Sequence, residues 1–252
     1  MRSEKTGTGS EFLLGPGLYP GSRQKFGACP RFFLPAAPAR AAIVPNPLDT
    51  TAADWLLGMN FSTLVIATRN VWKLREFRSL LSSTGWRILG LSDLSIEREY
   101  EEIGATFAKN ARLKALAYSA DTDLPVLADD SGLEVAALGG RPGVHSARYA
   151  GPGASDSDRI RKLLAELEAS GGPRDAHFVC TLAIAQAGRL LLEAYGECRG
   201  LIALEPRGAS GFGYDPIFFF PELQRTYAEL SESEKNLHSH RARAVHSLLE
   251  QL

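Results

Sequence analysis

The stretch that most constrains this chain is Pro125-Val126-Leu127-Ala128-Asp129-Asp130-Ser131-Gly132-Leu133. An apolar run of strand type stops on two adjacent carboxylates, followed by a hydroxyl and a glycine. Strand ends that open into glycine-containing loops are where α/β proteins usually keep their chemistry. Neighbours on an extended chain point opposite ways, so Asp129 and Asp130 cannot serve one site equally. One can face a ligand, holding Mg²⁺ or taking a proton from water, while the other accepts bonds from backbone or a basic neighbour. A plain turn accounts for the same residues, since Asp, Ser and Gly all favour turns. The rest of the chain decides between these readings.

Leu64-Val65-Ile66-Ala67 predicts a short strand, and Leu74, Phe77, Leu80 and Leu81 predict a helix that ends by Gly85. The loop between them is Thr68-Arg69-Asn70-Val71-Trp72-Lys73. A strand-to-helix loop offers free N–H groups and the positive end of a helix dipole. Lys73 is misplaced there for helix stability, which points to an anionic partner. This is not a Walker loop, because the glycines and the Lys-Ser/Thr pair are missing. Glu99, Glu101 and Glu102 form an acidic run, and a helix from near Thr106 would align Phe107, Asn110 and Lys114 on one face. Past the loop Gly139-Gly140-Arg141-Pro142-Gly143, Arg148 offers a further fixed cation.

Ser155 and Asp158 predict a capping box for a helix reaching Glu168, with Ile160, Leu163, Leu164 and Leu167 as its buried stripe. His177 to Ala187 and Arg189 to Tyr195 alternate as a hairpin turning at Gly188, and a separate strand is expected around Leu201 to Leu204. From Gly208 to Pro216 a loop combines glycines for close approach, Phe212 and Tyr214 for stacking, and the carboxylate of Asp215. Lys235, His240 and Arg241 cluster at the start of a last helix.

A net charge of −1 over 252 residues leaves no global basic field to hold a nucleic-acid polymer. Cys29, Cys180 and Cys198 are too few and too scattered for a disulfide framework or a zinc site, and buried reduced thiols suit a cytosolic protein. No apolar run approaches the roughly 20 residues of a membrane span. Residues 1–60 are rich in Gly, Pro, Ala and Arg without sustained periodicity. They are expected to be a disordered extension, either transit-like or left by cloning (Gly9-Ser10-Glu11-Phe12 resembles a scar), ahead of one domain over 61–252. Such a composition offers too little periodic apolar surface to offset the entropy of ordering. Deleting residues 1–58 should therefore leave the melting temperature and kcat/KM essentially unchanged.

Taken in order, these segments resemble the inosine triphosphate pyrophosphatase family, which hydrolyses non-standard purine nucleoside triphosphates. The resemblance rests on Thr68-Arg69-Asn70 with Lys73, on Glu102-Ile103-Gly104 with Thr106-Phe107, Asn110 and Lys114, and on Ala128 to Leu133. It continues through Pro142-Gly143 with Ser146 to Tyr149, Phe212 to Pro216, and Ser239-His240-Arg241. It implies an elongated α/β fold: a long mixed sheet flanked by helices, with two lobes about a central cleft. It also implies a cytoplasmic homodimer that cleaves dITP, ITP or XTP with Mg²⁺. By the same resemblance, Thr68 to Lys73 would cradle the triphosphate. Glu102 and Asp130 would share the metal, and Asp130 would accept a proton. Ser131 would touch substrate, and Phe212, Gly213, Tyr214, Asp215, Lys235, His240 and Arg241 would surround the nucleoside. Three residues depart from the family: Arg69 and Trp72 stand where many members carry glycine, and Ser210 replaces a common glycine. Arg69 could add a phosphate contact. The rival readings are a related pyrophosphatase for pyrimidine or modified nucleotides, and a nucleotide- or RNA-binding module without turnover.

Overall fold

A computed structural model describes residues 62–252, so the expectations for the N-terminal extension lie outside the described residues. Thr63–Ile66 (β1) and Arg87–Gly90 (β2) pair in parallel, joined through helix α1, Val71–Leu80. Helix α2, Phe107–Tyr118, then leads into Val126–Val135 (β3), which lies parallel to β1 on its other side. Parallel neighbours need such helical crossovers, because a tight turn can only reverse the chain. After helix α3, Asp156–Ser170, the pairing becomes antiparallel through Asp175–Gln186 (β4), Arg189–Ile202 (β5), Phe218–Phe220 (β6) and Arg225–Thr226 (β7). Helices α4, Glu232–His238, and α5, His240–Leu249, close the chain. The result is one mixed sheet of order β2-β1-β3-β4-β5-β6-β7 with flanking helices, the α/β class expected.

Two local expectations change. β3 does not stop at the carboxylates: it pairs with β4 without a break from Val126↔Ala185 to Val135↔Ala176. The turn preferences of Asp, Ser and Gly lose to a continuous ladder, since strand propensity is set by pairing and burial more than by residue type. Nor is Leu201-Ile202 a separate strand; it continues β5 and pairs with β6. The β4–β5 hairpin turns where expected, with Ala187 and Gly188 both at positive φ (48° and 73°). Positive φ at both central residues is the turn whose twist suits a hairpin.

The period of two along β3 positions the site. Leu127 joins Leu64, Ile66 and Leu182 in a core shared with Phe77 of α1 and Val245 and Leu248 of α5. Val126 and Ala128 face the other way, with Val65, against Ala111, Ala115 and Tyr118 of α2. Continuing the alternation sends Asp129 toward α1 and α5, and Asp130 toward α2. A third core surrounds Leu133 and Val135, with Ile160, Leu163 and Leu167 of α3 and the aromatic rings of Phe178, Phe218, Phe220 and Tyr227.

α5 lies directly on β5. A Cβ at Gly196 would fall 2.2 Å from the Ala244 nitrogen and 2.3 Å from the His240 oxygen. Gly196→Ala should therefore push the first turn of α5 off the sheet, at a cost of about 1–3 kcal/mol for overpacking. The urea midpoint should fall at unchanged m-value; an unmoved midpoint would contradict this packing.

Candidate active site

The α1/α5 face of β3 is balanced in charge. Lys73 Nζ donates to Asp129 Oδ2 at 2.7 Å, the Ser131 hydroxyl donates to the same oxygen at 3.0 Å, and Arg241 Nη2 stands 3.6 Å from it. Arg241 Nη2 also donates to Ser131 Oγ at 2.9 Å, and Nη1 donates to Glu76 Oε2. Glu76 accepts from Lys235 Nζ at 2.8 Å, and Lys235 donates to Asp215 at 2.6 Å. Asp215 in turn accepts the Phe212 N–H at 2.9 Å, which anchors the glycine-rich loop. Burial opposes a charge on Asp129, but Lys73, Arg241 and Lys114 outweigh it and hold the carboxyl well below the usual range. Glu76 is lowered in the same way by Arg241 and Lys235 against its burial.

The anion that Lys73 serves here is thus Asp129. Asn70 caps α1 through Oδ1, which accepts the N–H groups of Trp72 and Lys73 at 2.9 and 3.3 Å, while Thr68 Oγ1 accepts the Asn70 N–H. Val71 and Trp72 are exposed in the first helical turn, where regular helical geometry has no need of glycine.

The α2 face is short of positive charge. Asp130 Oδ2 accepts from Asn110 Nδ2 at 2.9 Å, and Asn110 Oδ1 accepts the Gly104 N–H at 2.6 Å. Lys114 Nζ pairs with Glu102 at 3.1 Å. Arg148 donates to the Glu102 carbonyl at 3.4 Å and to His145 Nδ1 at 3.3 Å. Burial, then the neighbouring Glu102 charge, push the Asp130 carboxyl up to about 6, with Asn110 and Lys73 opposing. Burial would lower Lys114, but Asp129 and Glu102 raise it, so it stays a cation.

The Asp130 shift has a sign for stability. Its folded value lies above the unfolded value of about 3.9, so the folded chain binds the proton more tightly. This contribution is intact below about pH 4 and is lost as pH rises through about 6. Without divalent cation at pH 7.5, Asp130→Asn should therefore be the more stable protein, by roughly 2 kcal/mol. Equal stability in urea titrations would argue against the charge-poor setting.

Two cavities meet across this arrangement. One, of about 430 Å³, is lined by Trp72, Ser131, Phe212, Gly213, Tyr214, Asp215, Lys235, His240 and Arg241. The other, of about 710 Å³, is lined by Glu99, Glu101, Glu102, Lys114 and Arg148. Arg69 borders both. In the first, Lys235 lies 4.9 Å and Arg241 5.9 Å from the Phe212 ring, and His240 stacks on Phe178 at 4.6 Å. Burial, then Arg241 and Lys235, keep His240 well below its ordinary value, so its ring is neutral. Tyr214 lines the same cavity, and its hydroxyl donates to the Ser146 carbonyl at 3.0 Å. The Gly213 N–H donates to Asp156 at 2.7 Å.

Sequence reasoning passed over Glu76, which joins Lys235 to Arg241 from 7% exposure. The available signal was its place beside Phe77, three residues after Lys73, on the buried side of α1. It left open which of the two adjacent acids accepts from a basic neighbour; that place falls to Asp129, the counter-charge of Lys73 and Arg241.

Residues 64–251 match the profile of the Ham1 family. The chain is 53% identical over 187 residues to the dITP/XTP pyrophosphatase of Gloeobacter violaceus, spanning 74% of this chain and 92% of that one. It is 51% identical over 191 residues to the dITP/XTP pyrophosphatase of Geobacillus kaustophilus, spanning 75% and 93% respectively. Among solved structures, a HAM1 protein from Coxiella burnetii superposes with a TM-score of 0.69 at 44% identity, over 75% of this chain and 99% of that one. With nearly the whole described region matched in sequence and in fold, this chain belongs to the Ham1 family.

Proposed function

We propose that this chain hydrolyses non-standard purine nucleoside triphosphates, dITP, ITP and XTP, to the monophosphate and pyrophosphate. The observation that carries this reading is the division of labour on β3. One face opens on a cavity with an aromatic ring and fixed donors, and the other on two repelling carboxylates beside a lysine. The names of the relatives, dITP/XTP pyrophosphatases, support the same substrates.

Glu102 and Asp130 fit Mg²⁺ as a pair. Among the described residues no cluster of three or more His, Cys, Asp or Glu could hold a metal unaided. Mg²⁺ typically takes one or two carboxylates and completes its shell with substrate phosphates and water. When bound, it offsets phosphate charge and lowers the pKa of a coordinated water. Asp130, raised toward neutrality and held by Asn110, orients the attacking water and accepts its proton. Lys114 and the remaining donors of Lys73 stabilise charge on the phosphates and the leaving pyrophosphate. Asn70 holds Lys73 in place by capping α1. Phe212 faces the base, with Lys235, His240 and Arg241 supplying donors around it.

The test is product identity. ITP should yield IMP and pyrophosphate in equal amounts by ³¹P NMR. Release of orthophosphate with IDP would place the cut at the wrong bond and overturn the proposal.

A further inference from the structure

Arg69 ties the loop after β1 to the segment that carries Glu102. Its Nη2 donates to three successive backbone carbonyls: Ile96 at 3.4 Å, Arg98 at 3.0 Å, and Glu97 between them. One amino nitrogen has two protons for these three acceptors. It therefore works as a positive charge where three carbonyl dipoles converge. Residues 96–104 form neither helix nor strand, so no ladder fixes their carbonyls. The segment has further anchors: the Tyr118 hydroxyl on the Arg98 carbonyl at 3.1 Å, the Tyr100 hydroxyl on Asp121 at 3.0 Å, and the Gly104 N–H on Asn110 at 2.6 Å. Lys114 and Arg148 hold Glu102 itself, and Arg69 fixes the backbone that leads into it.

We propose that Arg69 is a positioning residue: by clamping the carbonyls of residues 96–98 to the β1–α1 loop, it sets where Glu102 stands opposite Asp130, and so raises the divalent-cation affinity of that pair. The proposal rests on the reading of Glu102 and Asp130 as the metal-binding pair. It assigns to Arg69, one of the departures from the family, a task other than phosphate contact. An arginine suits it because the planar fork reaches several acceptors while staying charged.

The experiment is a Mn²⁺ titration of the nucleotide-free protein, followed by electron paramagnetic resonance, for wild type, Arg69→Ala and Glu102→Gln. Removing a group that hydrogen-bonds a metal ligand usually costs about 10–100-fold in affinity, and Arg69 acts one step further out, through the backbone that carries Glu102. Arg69→Ala should accordingly raise the Mn²⁺ Kd several-fold, up to about 10-fold. Its affinity for pyrophosphate in EDTA, and its ratio of kcat/KM for ITP over ATP, should not change. An unchanged Mn²⁺ Kd with weakened pyrophosphate binding would overturn the proposal and make Arg69 a phosphate ligand. Glu102→Gln separates the two levels. If it loses Mn²⁺ and Arg69→Ala does not, only the clamp is wrong. If it binds Mn²⁺ like wild type, the metal-pair reading falls, and the clamp with it. Should Arg69→Ala fail to fold, Arg69→Gln keeps an uncharged donor and reads the same constant with the same outcomes.

Discussion

Asp130→Asn is expected to lower kcat for ITP by about 10²–10⁴-fold through loss of the general base, with a further fall from weaker metal binding. The substitution is nearly isosteric, and an amide oxygen can still accept from Asn110 Nδ2, so β3 keeps its pairing. What disappears is a charge with no ion-pair partner of its own, since Lys114 is committed to Glu102. The measurement is single-substrate kinetics at saturating Mg²⁺ on protein shown to be folded. Retention of more than half of the wild-type kcat would remove Asp130 from its assigned role. The urea titrations described above guard against a trivial loss, because this variant should be at least as stable as wild type.

The second large effect concerns the base. ITP, dITP and XTP should share a high kcat/KM, with ATP lower by at least about 10²-fold. Hypoxanthine and xanthine present an acceptor at C6, whereas adenine presents an amino group. In the cavity beside Phe212, Lys235 and Arg241 present donors, with His240 beside them. The carboxylates Asp215 and Asp156 are already engaged by Lys235 and by the Phe212 and Gly213 N–H groups. An adenine amino group would leave buried donors unpaired, and sites built on such bonds can discriminate by about 10⁴-fold or more. The same commitment of acceptors disfavours the 2-amino group of guanine, so GTP should fall below ITP. Arg241→Ala should erode the preference, but Arg241 is fully buried between Glu76, Ser131 and Asp129. Removing one partner of a buried ion pair typically costs about 3–5 kcal/mol. The cleaner probe is therefore on the substrate side: purine riboside triphosphate, with hydrogen at C6, should be a poor substrate. Equal kcat/KM for ITP and ATP would defeat the assignment.

Much of the fold was legible because its signals are local. The capping box at Ser155 and the helix start at Thr106 depend on residues within one helical turn. The β4–β5 hairpin follows from alternation interrupted at Ala187-Gly188. β3 was misjudged at the point where it matters, because turn preference is local while its pairing partner, β4, begins some forty residues later. Glu76 was invisible for the same reason: its cations are 159 and 165 residues away, and in sequence it lies in a charged helix that reads as a solvated face. The α2-face residues fared better, since Phe107, Asn110 and Lys114 fall on one stripe of a single helix.

The unbroken β3–β4 ladder also makes strand length part of the site's code. Deleting one residue ahead of Asp129 within β3 would turn its carboxylate toward α2, away from Lys73 and Arg241, and would turn Ser131 with it. Deleting two would return each group to its own face but displaced by about 7 Å along the strand, out of register with the cations on α1 and α5. The parity of the residue count therefore specifies which carboxylate meets which set of partners, and its absolute value specifies whether they meet at all. Length variation compatible with this chemistry belongs in the loops that flank β3, never within it.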